Sequence, residues 1–351
     1  MANDDLSEQL GPADLNQPSD ADPALRPRTL DEFVGQDLLR QNLRIAMEAA
    51  KLRDEPLEHL LLSGLPGLGK TTLSHIIATE QGVLMRATSG PALERTGDLV
   101  GILSDLDRGD ILFIDEVHRL PRILEEYLYS AMEDLLIDIV IDSGPGARSV
   151  RLPIKRFTLI GATTREGLLT APFRARFGLQ EKLELYPARD LRLVLERTAR
   201  LLRVTADQDA LELLAERSRG TPRVANRLLR RVRDLADVRR IRRVDLALAT
   251  ETLERLGVDE AGLVETDRKI LRCLDRHGGG PAGIRTLSAA VGESEDTLET
   301  VYEPYLLTVG FLSKTPRGRL LTPAGLKHLR AFDPESSPGR LGRSGWTGLF
   351  S

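Results

Sequence analysis

The sequence predicts an α/β protein: a parallel sheet flanked by helices, then a small all-helical domain and a C-terminal winged helix. Three observations predict it. From residue 59 to 185, short apolar runs alternate with helical patterns, which marks a parallel sheet covered on both faces. After Tyr186 the apolar residues recur only at three and four spacing, a helical period. Towards the end, three helix patterns precede "GFLSKTPRGRLLT", in which two short apolar runs flank a turn rich in Pro, Gly and Arg, as in a wing.

Each element follows in order. Residues 1–23 read as an unstructured acidic arm, because residues 1 to 25 hold six carboxylates and three prolines but no Lys or Arg. A large domain spans 24–186, with candidate strands "HLLLSG", "GVLMRA", "DILFIDE", "RFTLIGAT" and "EKLELY". Between the third and fourth of these, "IDIVIDSGPGARSVRLPI" alternates apolar and polar residues around Gly-Pro-Gly. That predicts an inserted hairpin at about 137–155. Ile137, Ile139 and Ile141 share one face and Val150, Leu152 and Ile154 another; this apolar surface either covers the hairpin's own domain or docks a partner. Helices in "RDLRLVLERTARLL", "DALELLAERS", "RVANRLLRRVRDL" and "VDLALATETLERL" make a small domain at 187–257. The winged helix occupies 258–334, its third helix in "EDTLETVYEPYLLTVG", and a Gly- and Ser-rich tail follows at 335–351.

Bulk properties exclude several classes. The apolar fraction of 41% is that of a globular chain, and no apolar run approaches a membrane span. The first residues lack the charged and apolar regions of a secretion signal, so a cytoplasmic protein is expected. Cys273 is the sole cysteine, which rules out an internal disulfide or a multi-thiolate metal site. With a net charge of -4, any nucleic-acid binding must come from local patches. One such candidate runs from Arg217 to Arg243, with eleven arginines against two aspartates; it reads as an ion-paired helix face or as an interface to DNA or a subunit.

The chemistry concentrates in three strand ends. "GLPGLGKT", Gly64 to Thr71, fits the phosphate-loop pattern without a mismatch, after a strand and at the start of a helix. Its glycines, Gly64, Gly67 and Gly69, let backbone N–H groups wrap phosphate oxygens, Lys70 bridges the β and γ phosphates, and the Thr71 hydroxyl faces Mg²⁺. ATP is therefore the expected ligand. In "DILFIDEVH", Asp115 is placed to hold the Mg²⁺ shell and Glu116 to orient or deprotonate a water. The strand ending "LIGATT" offers Thr164, with Thr163 beside it, to the γ phosphate or the attacking water. In "TAPFRARFG", Arg174 and Arg176 lie between Phe173 and Phe177, and arginines held by apolar anchors suit phosphate or ion pairing.

These motifs, with the "GTPRVANR" helix, occur in the order found in AAA+ ATPases. "LRPRTLDEFVGQ", "SGPALERTGDLVGIL", "YLYSAMEDLLIDIVIDSGPGARSVRL", "IGATTREGLLTAPFRARFG" and "TPRGRLLT" resemble the RuvB family in particular, from about residue 24 to 333. The resemblance implies an AAA+ P-loop NTPase core with a helical lid and a winged helix. It implies an ATP-driven homo-hexameric ring that moves double-stranded DNA at Holliday junctions in recombination and repair, together with RuvA and with RuvC as resolving nuclease.

By the same resemblance, Leu25 and Arg26 close over the adenine, and Thr72 joins the phosphate loop. Tyr186 contacts nucleotide, Thr164 is sensor 1 and Arg223 is the sensor 2 arginine. Arg176 is the arginine finger that reaches a neighbouring subunit's ATP, with Glu133, Asp134 and Leu135 also at the nucleotide. The hairpin around Ser143 to Arg148 docks on RuvA. Lys314, Arg317 and Arg319 of the wing contact DNA, whereas Glu295 stands where relatives often carry arginine and would repel phosphate. Two other readings of the same parts are an origin-initiator type nucleotide switch and a clamp-loader subunit.

Overall fold

A computed structural model describes residues 23–140 and 149–332. The expectations for the acidic arm to residue 22, the hairpin tip Ser143 to Arg148 and the tail 335–351 lie outside the described residues. The chain divides into two compact units, one ending at Thr252 and the other beginning at Leu253.

The first unit opens with α1 (Asp37–Leu52), β1 (Leu60–Ser63), α2 (Lys70–Gln81), β2 (Met85–Ser89), α3 (Thr96–Ser104), β3 (Ile111–Asp115) and α4 (Arg122–Glu133). A hairpin follows, β4 (Leu136–Val140) and β5 (Ser149–Pro153), then β6 (Thr158–Thr163), α5 (Ala171–Ala175) and β7 (Leu179–Lys182). The sheet order is β2-β3-β6-β1-β7 with every pairing parallel. Leu60, Leu61 and Leu62 of β1 and Leu159 and Ile160 of β6 are fully buried, as expected of strands covered on both faces. Because all five strands point the same way, Ser63, Asp115 and Thr163 end at one edge, and that edge carries the site.

Two expectations are corrected. The last core strand covers Leu179–Lys182 and not Glu181 to Tyr186, since its register runs from Leu60↔Leu179 to Ser63↔Lys182 and β1 stops where the glycine loop begins. Beyond it the chain turns away, and the Tyr186 N–H donates to Gly220 O at 2.8 Å. The hairpin forms its own two-stranded sheet, but Ile137 and Leu152 do not lie on separate faces. The register pairs Ile137 with Leu152, so the two strands put these side chains on one side. The base of that side covers its own domain, with Ile137 buried in the main core and Ile154 against it, while Val150 is 46% exposed.

The unit continues with α6 (Ala188–Leu201), α7 (Gln208–Glu216), α8 (Pro222–Arg239) and a two-residue parallel pair, β8 (Thr205–Ala206) and β9 (Arg243–Val244), and the division between the units falls within α9 (Leu246–Arg255). Helix α8 turns Val224, Leu228, Leu229 and Val232 inward. Of its arginines, Arg231 and Arg233 meet Asp234 and Arg239 meets Glu251, and Arg243 of β9 meets Asp207. These four members of the arginine run are ion-paired.

The second unit holds α10 (Glu265–Arg276), α11 (Ile284–Val291) and a third helix, in which α12 (Glu295–Thr297), a π-helical turn Leu298–Tyr302 and α13 (Glu303–Thr308) run on from one another. A wing of β10 (Leu312–Thr315) and β11 (Gly318–Leu321) and a last helix, α14 (Pro323–Phe332), complete it. Gly318, at φ 137°, lies so close to the Ala282 carbonyl that a Cβ would collide with it. That approach lets Arg319 exchange backbone hydrogen bonds with Ala282 at 2.9 and 3.0 Å, which ties the wing to the helices.

Candidate nucleotide site and its surroundings

The glycine loop between β1 and α2 is a backbone cradle. Gly64, Gly67 and Gly69 all take positive φ, a conformation that costs other residues energy. Gly67 has a second reason to lack a side chain, because a Cβ there would sit 2.8 Å from the Arg223 Cβ. The Arg223 N–H also reaches Gly67 O at 3.4 Å, so the sensor 2 candidate on α8 lies directly on the phosphate loop. Thr71 and Thr72 occupy the first turn of α2, both half-buried, where the helix N-terminus favours negative charge.

Lys70 is buried at 7% exposure, and its Nζ donates to Gly64 O at 2.7 Å and Leu65 O at 2.9 Å. Burial pushes its pKa down to about 8; Asp115 and Glu116 raise it while Arg223 lowers it further. Burial also lowers the pKa of Arg223, against the pull of Asp115. Lys70 and Arg223 are thus desolvated cations whose burial the nearby Asp115 and Glu116 do not offset, and a polyphosphate would supply further negative charge.

The β6 strand end links to both neighbours. Thr163 is fully buried, its Oγ1 lies 2.9 Å from His118 Nδ1 and accepts from the Arg165 N–H at 3.0 Å, and its carbonyl accepts from the Gly64 N–H at 3.1 Å. Thr164 next to it is half-exposed at the sheet edge. Thr163 is therefore structural, and Thr164 is the threonine that a ligand can reach. His118 was not singled out in the sequence, where a lone histidine after the acidic pair carries no spacing signal. Asp115 Oδ1 accepts from the Glu116 N–H at 2.9 Å, and Glu116 has a positive φ of 49° and an ion pair with Arg119 at 3.1 Å.

Leu25 is buried, and its carbonyl and that of Arg26 accept from Arg197 on α6 at 2.6 and 3.3 Å. The Tyr186 hydroxyl donates to Leu68 O at 3.2 Å, and burial raises its pKa. The Tyr186 contact joins the glycine loop to the chain just before α6, and the Arg197 contacts tie Leu25 and Arg26 to α6.

Arg176 lies elsewhere. Its guanidinium donates to Pro172 O at 2.8 Å and to Glu133 at 3.2 Å, and Cζ stands 4.2 Å from the centre of the Tyr129 ring. None of these partners belongs to the glycine loop. Glu133 ends α4, Asp134 caps it and Leu135 turns the chain into the hairpin with φ 55°, so the four expected nucleotide-proximal residues form one patch. Phe173 and Phe177 are buried and meet edge to face at 5.2 Å, anchoring the loop as expected. Arg174 pairs with Glu166 at 3.7 Å, the ion-pair alternative.

The three basic residues of the wing differ in exposure. Arg317 sits exposed in the turn and Lys314 is 51% exposed. Arg319 is not presented to solvent: it is 7% exposed, with Nε and Nη2 bound to Glu303 and Nη2 donating to Glu299 at 2.7 Å. A buried guanidinium needs such partners, and Glu299 and Glu303 on the third helix supply them. Glu295 faces Arg285 at 3.6 Å. Among the described residues no helix is long and apolar enough to cross a membrane, and no group of three or more His, Cys, Asp or Glu gathers to hold a metal.

Comparison with known proteins matches this arrangement along the chain. Residues 25–183 match the Holliday junction DNA helicase RuvB P-loop domain, 186–259 the RuvB AAA lid domain and 260–330 the RuvB C-terminal winged helix domain. The Holliday junction branch migration complex subunit RuvB of Myxococcus xanthus is 53% identical over 97% of this chain and 98% of its own, and that of Chlorobium luteolum 52% identical over 92% and 95%. The Thermotoga maritima RuvB Holliday junction branch migration motor superposes with a TM-score of 0.80 at 49% identity, covering 88% of this chain and 98% of its own. The origin-initiator and clamp-loader readings are not favoured by these matches, and the chain belongs to the RuvB family of AAA+ ATPases, the Holliday junction branch migration motors.

Proposed function

We propose that the chain hydrolyses ATP at the junctions between subunits of a homo-hexameric ring and spends each cycle moving duplex DNA through a Holliday junction. The observation that carries the reading is the separation within one chain of a phosphate cradle at Lys70 from an anchored arginine, Arg176, whose own partners lie on α4 and α5. An arginine supplied from a neighbour couples turnover to assembly, and in phosphoryl transfer such groups contribute roughly 10³ to 10⁵ in rate.

In this reading Gly64, Gly67, Gly69 and Lys70 hold the phosphates, Leu25, Arg26 and Tyr186 flank the base, Glu116 takes the proton of the attacking water, and Thr164 and Arg223 face the γ phosphate. Thr71 and Asp115 would hold Mg²⁺. A hydroxyl and a carboxylate suit that ion, and it would supply charge neutralisation to the phosphates. Residues 24–186 act as motor core, 187–257 as lid and 258–334 as DNA module, with Lys314 and Arg317 on phosphate. The hairpin at about 137–155 receives RuvA, RuvC joins for resolution, and the work is cytoplasmic.

The test is subunit mixing. Arg176→Ala and Lys70→Ala proteins, each inactive alone, should recover ATPase when mixed, because one supplies the site and the other the arginine. Turnover by Arg176→Ala equal to the parent, or ATPase per subunit independent of protein concentration and of DNA, would overturn the reading.

A further inference from the structure

Tyr129 on α4 was given no role among the candidate site residues, yet it is the platform on which Arg176 rests. The guanidinium lies over its ring at 4.2 Å, and the ring tilts against buried Phe173 at 5.7 Å. Its hydroxyl donates to Glu125 Oε2 at 3.1 Å and lies 2.9 Å from Thr170 Oγ1. Thr170 in turn donates to the same Glu125 oxygen at 3.1 Å and caps α5 by accepting from the Phe173 N–H at 3.4 Å. Glu125 is only 6% exposed, so these hydroxyls satisfy a carboxylate that water barely reaches.

The three side chains therefore lock α4 to the start of α5, the helix whose C-cap is Arg176. Glu133 also pairs with Arg176, but its side chain is 57% exposed, and so exposed a pair contributes little and is screened by salt. A cation over an aromatic face keeps its direction without a fixed hydrogen bond. It can hold a guanidinium in place while the N–H groups turn outward.

We propose that Tyr129 is a positioning residue for hydrolysis, its ring presenting Arg176 to the neighbouring subunit's ATP while Glu125 and Thr170 fix the ring. This rests on the reading of Arg176 as a trans arginine.

The experiment uses the full chain with a four-way junction and ATP. Tyr129→Leu is expected to lower kcat about tenfold, the scale of a desolvated cation–π contact, with the KM for ATP within about twofold because its own cradle is intact. Tyr129→Phe, which keeps the ring, should lose less than about threefold. Mixing then separates position from damage. Turnover per Tyr129→Leu subunit should rise when Lys70→Ala subunits, whose Arg176 platform is whole, are added, and should not rise with Arg176→Ala subunits. Parental turnover by Tyr129→Leu would overturn the proposal. So would failure of Lys70→Ala to rescue it in a preparation where Lys70→Ala rescues Arg176→Ala. If that control pair itself fails to recover, the trans reading falls and takes this inference with it.

Discussion

The nucleotide cradle and the wing each set a cation among carboxylates, with opposite results. Lys70 is desolvated faster than it is neutralised: its Nζ donates to two loop carbonyls and its pKa drops to about 8 despite Asp115 and Glu116. Arg319 is buried to the same degree, but Glu303 and Glu299 grip it directly, and they outweigh burial to raise its pKa. The first cation is left seeking an anion and the second already has two. A buried basic residue carried over from a motif points to a ligand only where the fold leaves its charge unsatisfied.

The largest expected effect tests the cradle's chemistry. Glu116→Gln should bind ATP as the parent does and lose turnover by roughly 10² to 10⁴, the usual contribution of a positioned base; nucleotide titration beside single-turnover hydrolysis checks it. Next comes a pair of stability changes of opposite sign. Lys70→Met removes a poorly compensated buried charge and should raise stability without nucleotide by about 1 kcal/mol, while Glu303→Gln strips a partner from buried Arg319 and should cost about 3 kcal/mol. Denaturant unfolding of both variants decides, and like signs would break the comparison.

A smaller effect tests the wing on DNA. Lys314→Ala should reduce the slope of log affinity against log salt by about 1, as loss of one phosphate contact does. Arg319→Met paired with Glu303→Met, which leaves no orphaned charge between that pair, should leave the slope unchanged. A slope reduced in the double variant and not in Lys314→Ala would reverse the assignment of the two residues.

Much of this was legible in the sequence because backbone motifs have fixed spacing. The glycine loop, the strand ending in Asp115 and Glu116, and the anchors Phe173 and Phe177 each combine a local pattern with a local consequence. What was not legible depends on register and on choice of partner. That Ile137 and Leu152 face one way follows from the pairing of two strands, and the strand after Phe177 stops at Lys182 because β1 ends at Ser63. The burial of Arg319 depends on carboxylates 16 and 20 residues away. His118, 45 residues from Thr163, and Tyr129 were given no role, since their contacts join separate elements in a way that no period records.

The smallest effect concerns acid. Burial pushes the Glu299 carboxyl up, but hydrogen bonding to Arg319 and the charge of Lys314 outweigh it and hold the pKa below the usual value of 4.5. A carboxylate whose folded pKa is depressed adds stability above its unfolded pKa and loses it as pH falls through the folded one. Protection of the wing amides from Leu312 to Leu321 against hydrogen exchange should therefore weaken below about pH 4.5, and Glu299→Gln should flatten that limb. The change should stay under about 1 kcal/mol, because Lys314 is half-exposed and solvent screens its share. Glu265, held low by Arg272 and Arg268 against its own burial, keeps titrating in the same window, so a residual slope is expected in Glu299→Gln. A limb as steep as the parent's would mean that Glu299 on the third helix adds nothing to the wing's stability and that Glu303 alone carries Arg319.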